Sequence, residues 1–415
     1  MKRLIYSFMV RVHHRFSKAG RFVRVLLIML FFAASIYGCS GEVETQGQDV
    51  GLRSRGMAAN EYSEVSLSHA KGFTLHNHDG FKTLTVTVDL DSRSDTFRYL
   101  LLPKAASVPK GFEDYLTIRT PVERIALFST THIGYVDLLG CSDRIVAIAR
   151  PEYVNTASLR ERIKKGDISE IGMPFSPNVE VILELSPDVI VATALPASRK
   201  TDYQTFVKSG IPVLVVAEWL EQSPLGRAEW MKLYAALFDC EAIAGEKFAV
   251  LERSYNALVA LTDTVAHRPA IIPGMPFKDA WFVPGGKSYV AELLRHAGAR
   301  YHWNDRARTG SIKMDIEAVY PVALEAEYWL NPGTVLSLDE LLAKDIRFRD
   351  FASVKSGNIY NNNKQLTPAG GNAYWELGVV QPEKILKDLI MILHPDIAAR
   401  EGFQNDSLTF FRHID

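Results

Sequence analysis

The sequence predicts an α/β protein: two parallel-sheet α/β lobes joined by a long α-helix, with a small β-rich N-terminal extension. Three observations predict it. From Pro121 onward, short apolar runs such as Ile125-Ala-Leu-Phe128, Asp188-Val-Ile-Val-Ala192 and Val213-Leu-Val-Val216 alternate with helical stretches. Short strands that are apolar throughout belong to parallel sheets covered on both faces. A second series of the same kind begins near residue 266. Between the two, from Gly226 to about Val265, apolar residues recur at three- or four-residue spacing with no proline. That pattern predicts a helical spine, either one helix or two broken at Gly245. A rigid spine implies a fixed cleft between the lobes.

The N-terminus reads as a targeting segment. Residues 1–38 hold seven basic residues and no acidic one, and the apolar run Val25–Ala34 follows the last of the basic residues, Arg24. A run of about ten apolar residues has the length of a signal-peptide core and is too short to span a membrane. Ile36-Tyr37-Gly38-Cys39 then resembles a bacterial lipobox, which implies that Cys39 is lipidated and heads the mature chain. Residues 39–60 are polar and read as a tether between the lipid and the folded body. The segment 61–118 alternates polar and apolar residues, most clearly in Thr83-Leu-Thr-Val-Thr-Val-Asp89, and forms the β-rich extension. His76 and His78 beside the Asp79-Gly80 turn read as loop residues, not metal ligands. The N-terminal lobe covers 119–222, the spine 223–265, the C-terminal lobe 266–395, and a tail 396–415.

Composition bounds the function. The 415 residues are 47% hydrophobic and 23% charged, which excludes disordered, collagen-like and polytopic membrane chains. A net charge of -1 gives no support for a nucleic-acid partner. Without residues 1–38, 40 basic residues face 48 acidic ones, so the exported part is acidic. Three cysteines are too few for a disulfide scaffold or a zinc cluster, and whether Cys141 and Cys240 pair stays open. Pro284-Gly-Gly-Lys-Ser288 has the end of a phosphate loop, but position 281 is Trp where the loop needs glycine. With no hydrolase elbow or zinc-protease helix either, no catalytic residue is assigned.

Two helix starts look alike across the lobes. Ser176-Pro-Asn-Val-Glu180 opens one, with Ser176 as the expected cap. Lys313-Met-Asp-Ile-Glu317 opens the other, with Asp315 as the cap. Each is followed by a strand, so Glu180 and Glu317 hold equivalent places, where a carboxylate also suits the helix dipole.

These residues carry a resemblance. The stretch 121–395, with Arg124-Ile-Ala-Leu-Phe-Ser-Thr-Thr-His132, Leu138-Leu-Gly-Cys-Ser-Asp-Arg-Ile-Val146, Pro177-Asn-Val-Glu…Pro187-Asp-Val-Ile-Val191 and Gly210-Ile-Pro-Val213, resembles the periplasmic substrate-binding proteins of iron-siderophore, haem and cobalamin ABC transporters. The resemblance implies a non-enzymatic carrier held at a membrane by its lipid. Its partners would be a permease dimer with its ATPase, and its cargo an iron chelate, haem or, as an alternative, cobalamin. It also implies that Glu180 and Glu317 meet arginines of the permease. The extension lies outside the family's core. An exported enzyme or a sensor lipoprotein using the same cleft is the alternative of a different class.

Ligand-contacting residues are expected where strand ends converge on the inter-lobe cleft. From the first lobe these are Thr131, His132, Arg150, Tyr153, Glu218 and Trp219; from the second, Trp281, Tyr289, Trp303, Tyr374 and Trp375. Aromatic faces suit a flat chelate, and arginine suits its acidic oxygens. No bare-metal site and no resident cofactor is assigned.

Overall fold

The computed structural model describes residues 63–90, 93–194, 203–278 and 280–415. The export signal, Cys39 and the tether fall outside the described residues. The extension is a five-stranded sheet in sequence order: Ser63–Glu64, Phe73–His78, Phe81–Leu90, Arg93–Pro103 and Leu116–Thr120. The period-2 pattern works as expected: Leu84, Val86 and Val88 point inward and are buried, while Asp89 is exposed. His76 and His78 lie on the second strand and not in a loop; His78 stacks on Phe81 with ring centroids 4.4 Å apart.

The N-terminal lobe carries a five-stranded, fully parallel sheet in the order Val213–Val216, Val189–Thr193, Ile125–Leu127, Ile145–Ile148, Ser169–Glu170. In the C-terminal lobe the order is Arg300–Tyr301, Ala270–Pro273, Tyr328–Leu330, Ile359–Asn361, Arg412–His413. The first four are parallel and the last is antiparallel. The tail is therefore part of this lobe: Phe410 and Phe411, just ahead of the strand it adds, are buried against Tyr374. Ala280–Pro284, an apolar run within the second series, does not join this sheet but pairs antiparallel with Pro276–Phe277 and Ser311–Asp315 in a small separate sheet. A five-residue apolar run looks the same in either setting.

The spine departs from expectation in its break point. Helices Pro224–Glu229 and Met231–Phe238 precede the long helix Glu241–Thr262, which at 1.5 Å per residue runs about 33 Å. The interruption is at Asp239, whose φ of 54° is left-handed, a conformation short polar side chains tolerate. Gly245 sits inside the long helix in open space and breaks nothing. Two N-caps also resolve. Asn178, not Ser176, caps Val179–Leu185, because Ser176–Pro177 is taken up in a short hairpin with Gly172–Met173. Asp315 caps Ile316–Glu325 as expected.

Candidate functional site: a cleft between the lobes

The C-terminal ends of the parallel strands converge on one cleft. Ser129 to Thr131 follow the first strand of the N-terminal lobe, Thr193 ends another, and Glu218–Leu220 follow Val213–Val216. From the C-terminal lobe come Gly274, the turn Asn331–Thr334, and Asn362 with Asn363. The cleft has an outer cavity of about 800 Å³ and an inner one of about 600 Å³. Trp219, Phe282, Tyr289 and Trp375 line both, so the two form one continuous space. The Trp219 ring is fixed by its Nε1, which donates to the Ala194 carbonyl at 2.8 Å. Phe282 and Trp375 expose 47% and 44% of their surface, which makes them an open aromatic rim.

The floor of the inner cavity is charged. Arg227, on Pro224–Glu229, is buried, and its guanidinium lies 4.6 Å over the Tyr289 ring. Its Nη2 is 3.7 Å from Oε1 of buried Glu218. Burial pushes the Glu218 carboxyl up, and the nearby arginine opposes this only in part; Arg227 stays charged. Among the described residues, Arg227 Nε and Glu218 Oε2 are both buried without a hydrogen-bond partner. Each such group costs roughly 1–3 kcal/mol, which a ligand bringing an acceptor and a donor would recover. At the outer end the side-chain oxygens of Asn331 and Asn363 are in the same state. The Asn363 amide is oriented by donation from its Nδ2 to the Val335 carbonyl at 3.0 Å.

Beside the cleft the lobes are fastened together. Glu376, on Ala373–Glu376 next to Tyr374 and Trp375, is fully buried. Its carboxylate accepts from the Asn155 and Thr156 N–H groups at 2.7 Å and from Thr156 Oγ1 at 2.6 Å. A Cβ on Gly371 would sit 2.0 Å from the Tyr153 carbonyl oxygen, and one on Gly134 would sit 2.2 Å from that of Glu376. Only glycine permits these two backbone approaches.

A family model described as periplasmic binding protein matches residues 125–366, more than half of the chain. The chain belongs to the periplasmic binding protein family. An uncharacterised lipoprotein of Methanocaldococcus jannaschii is 26% identical over 329 residues, covering 76% of this chain and 75% of that protein. The periplasmic haem-binding protein RhuT of Roseiflexus superposes with a TM-score of 0.51 at 16% identity, over 66% of this chain and 99% of that one. The molybdate-binding protein MolA of Haemophilus influenzae gives a TM-score of 0.52 at 15% identity, over 68% and 89%. These likenesses show the shared fold.

In this binding protein, Thr131, Glu218, Trp219, Tyr289 and Trp375 line the inner cavity, and Tyr153 and Tyr374 the outer one. Arg150 stands behind the wall, 4.4 Å over the Tyr153 ring and ion-paired to Glu152 at 2.5 Å. Trp281 and Trp303 do not reach the cleft: Trp281 packs on Trp329 and Phe348 in the lobe core, and Trp303 packs on Tyr301. His132 is fully buried below the first strand end, with Nε2 3.1 Å from Thr193 Oγ1. Sequence reasoning missed Arg227, Phe282, Asn331 and Asn363. Arg227 and Glu229 together in the short helical stretch Pro224–Glu229, and the Asn361-Asn-Asn363 run after a strand, were the available signals. Gly285 and Gly286 are explained by packing: a Cβ on either would fall about 2 Å from the Arg308 or Asn304 carbonyl oxygen.

Burial, with Arg227 adding to it, lowers the His132 pKa to about 3. The unfolded chain takes up this proton near pH 6.5, so folding stability is lost as pH falls from 6.5 toward 3. Between pH 6.5 and 4.5 the loss from this group is roughly 2–3 kcal/mol at 1.36 kcal/mol per pH unit. Urea unfolding is expected to show that extra loss in the wild type and its disappearance in His132→Gln. Equal acid sensitivity of the two proteins refutes the assignment.

Proposed function

We propose that this chain is the substrate-binding component of an ABC importer, lipid-anchored through Cys39 in the periplasm, which captures a metal chelate in the cleft and delivers it to a permease dimer. The observation that carries the reading is the aromatic cleft with a charged, unsatisfied floor. Its outer cavity of about 800 Å³ suits a ligand of chelate size and is far larger than a tetrahedral oxyanion needs. Trp219, Tyr289 and Trp375 offer faces to a planar or catecholate ligand, and Arg227 offers N–H groups to its acidic oxygens. An iron chelate, either siderophore or haem, is the first choice. The uncharged oxygens of Asn331 and Asn363 favour a second reading, cobalamin, whose carboxamides would donate to them. One similar protein is described as haem-binding and the archaeal relative as a lipoprotein, and both descriptions support this reading. Among the described residues no helix is long and apolar enough to cross a membrane.

Titration with haemin, ferric tris(2,3-dihydroxybenzoate) and cyanocobalamin is expected to quench tryptophan fluorescence at sub-micromolar concentration for one of them, without turnover. Arg227→Gln is expected to weaken that probe roughly 30- to 150-fold, the worth of a charge-assisted contact of about 2–3 kcal/mol. No quenching by any of the three overturns the reading, and product formation favours an enzyme.

A further inference from the structure

The N-terminal extension reaches the ligand cleft. Strands Phe81–Leu90 and Arg93–Pro103 stay paired from Lys82 opposite Leu101 to Leu90 opposite Arg93. Their flanking strands stop earlier: Phe73–His78 pairs only up to Val86, and Leu116–Thr120 only from Tyr99 onward. The last four pairs, Thr87 with Thr96 through Leu90 with Arg93, therefore project past the sheet as a two-stranded ribbon. At 3.4 Å per residue the projection is roughly 13 Å. Such a ribbon is marginal alone. This one is held because Val88 is buried and Leu90 packs half-buried against the core.

The ribbon and the cleft floor share one mount. Glu229 accepts the N–H groups of Ser68, His69 and Ala70 at 2.8–3.0 Å, and Glu221 accepts those of Lys71 and Gly72 at 2.9–3.1 Å. Glu229 lies on the short helix that carries Arg227, and Glu221 lies just ahead of it. Gly72 in turn accepts the Thr87 N–H at 2.8 Å, at the foot of the ribbon. Lys82 joins the same strand to Asp239 and Glu241 at the spine break, at 2.7 and 2.5 Å. The foot of the ribbon is thus tied to the elements that carry the floor. At the tip, Asp89 and Leu90 line the inner cavity together with Glu218, Trp219, Arg227 and Tyr289. Asp89 Oδ1 accepts from the Ser94 hydroxyl, which orients the carboxylate.

We infer that the ribbon tip is a third wall of the ligand site, in which Asp89 and Leu90 select the ligand. The carboxylate meets a hydrogen-bond donor (an amide, hydroxyl or ammonium) on the outer rim of the chelate, and an adjoining apolar edge rests on Leu90. The family match begins at residue 125, beyond this segment, so the two-lobe plan does not supply the wall. The inference rests on the chelate-binding reading above.

The test is a fluorescence titration of the wild type, Asp89→Asn and the double variant Asp89→Lys/Leu90→Ser with the same three probes. The double variant is expected to weaken the preferred probe tenfold or more and to change the rank order among the probes, with unchanged melting temperature. Asp89→Asn, an exposed and near-isosteric change, is expected to weaken it about threefold even if the double variant folds poorly. Footprinting by hydroxyl radicals is expected to show Leu90 protected when the probe is bound. Affinities within twofold of the wild type and no protection of Leu90 overturn the inference while leaving the chelate reading intact. If the wild type binds none of the probes, the chelate reading fails and the inference falls with it.

Discussion

Reversing both Glu180 and Glu317 to arginine is expected to reduce uptake of the bound chelate to background while leaving its affinity for the purified protein within twofold. Each glutamate is the second residue of a helix, Val179–Leu185 or Ile316–Glu325, and both are exposed. Each helix leads into a sheet strand of its own lobe, so the two carboxylates are presented by equivalent scaffolds. Losing a carboxylate from a helix start costs only about 0.3–1 kcal/mol, so both variants fold. Neither residue lines the cleft, so ligand affinity is insulated. An exposed pair adds only about 0.2–1 kcal/mol of affinity, which suits a carrier that must leave its permease. Replacement by a like charge is a different matter: repulsion across an interface costs several kcal/mol and slows encounter. The two sites are not equal. Arg347 Nη1 already lies 3.5 Å from Glu317 Oε1, although its closer partner is Asp345 at 2.7 Å. Glu317→Arg therefore places a second cation beside Arg347, and it is expected to be the more damaging single change. Wild-type uptake by the double variant would sink the docking role; lost uptake together with lost ligand affinity would point to misfolding.

The two-lobe plan was legible because buried parallel strands are apolar on both faces, and Val189–Thr193 and Val213–Val216 announce themselves in a way no surface strand does. The spine's existence was legible for the same kind of reason, in the helical spacing of its apolar residues. Its break was not, because glycine at 245 is tolerated at an exposed position inside a helix while Asp239 supplies a left-handed residue that no pattern marks. Caps were ambiguous where two good capping residues stood two apart, as at Ser176 and Asn178; only pairing of the hairpin decides between them. For the site, polar or aromatic residues just past a strand could be read, and Thr131, Glu218, Trp219 and Tyr289 were. Residues held there by another element could not. Arg227 sits in a short helix far from any strand end in sequence, and Asp89 reaches the cleft along a ribbon of the extension. Trp281 fails for the converse reason: strand alternation turns it inward and Phe282 out to the rim, and a one-residue offset decides which aromatic meets the ligand.

Replacing Glu376 by alanine is expected to destabilise the protein by about 3 kcal/mol or more at pH 7 and to loosen the cleft. Its carboxylate belongs to the C-terminal lobe, and all three donors it accepts from belong to the N-terminal lobe. Removing it orphans two backbone N–H groups and a hydroxyl in a buried place, each worth roughly 1–3 kcal/mol. The close approaches of Gly134 and Gly371 leave little room for the lobes to shift and find substitutes. Glu376→Gln keeps one acceptor oxygen and the side-chain volume, so about half of the loss is expected. Because Tyr374 and Trp375 sit on the same short helix, the alanine variant is also expected to bind the preferred chelate more weakly. The pH dependence separates a buried carboxyl from a surface one. Burial raises the Glu376 pKa, although Thr156 and Asn155 oppose the shift. The unfolded chain then ionises first as pH climbs above about 4.5, so the stabilising contribution of this group falls in that window in the wild type and is absent from Glu376→Gln. The advantage of glutamate over glutamine is expected to be largest near pH 4.5 and to shrink on the way to neutrality. Urea unfolding of the three proteins at pH 4.5 and 7 measures both effects. An alanine variant within 1 kcal/mol of the wild type at pH 7 would mean that Glu376 does not hold the lobes together.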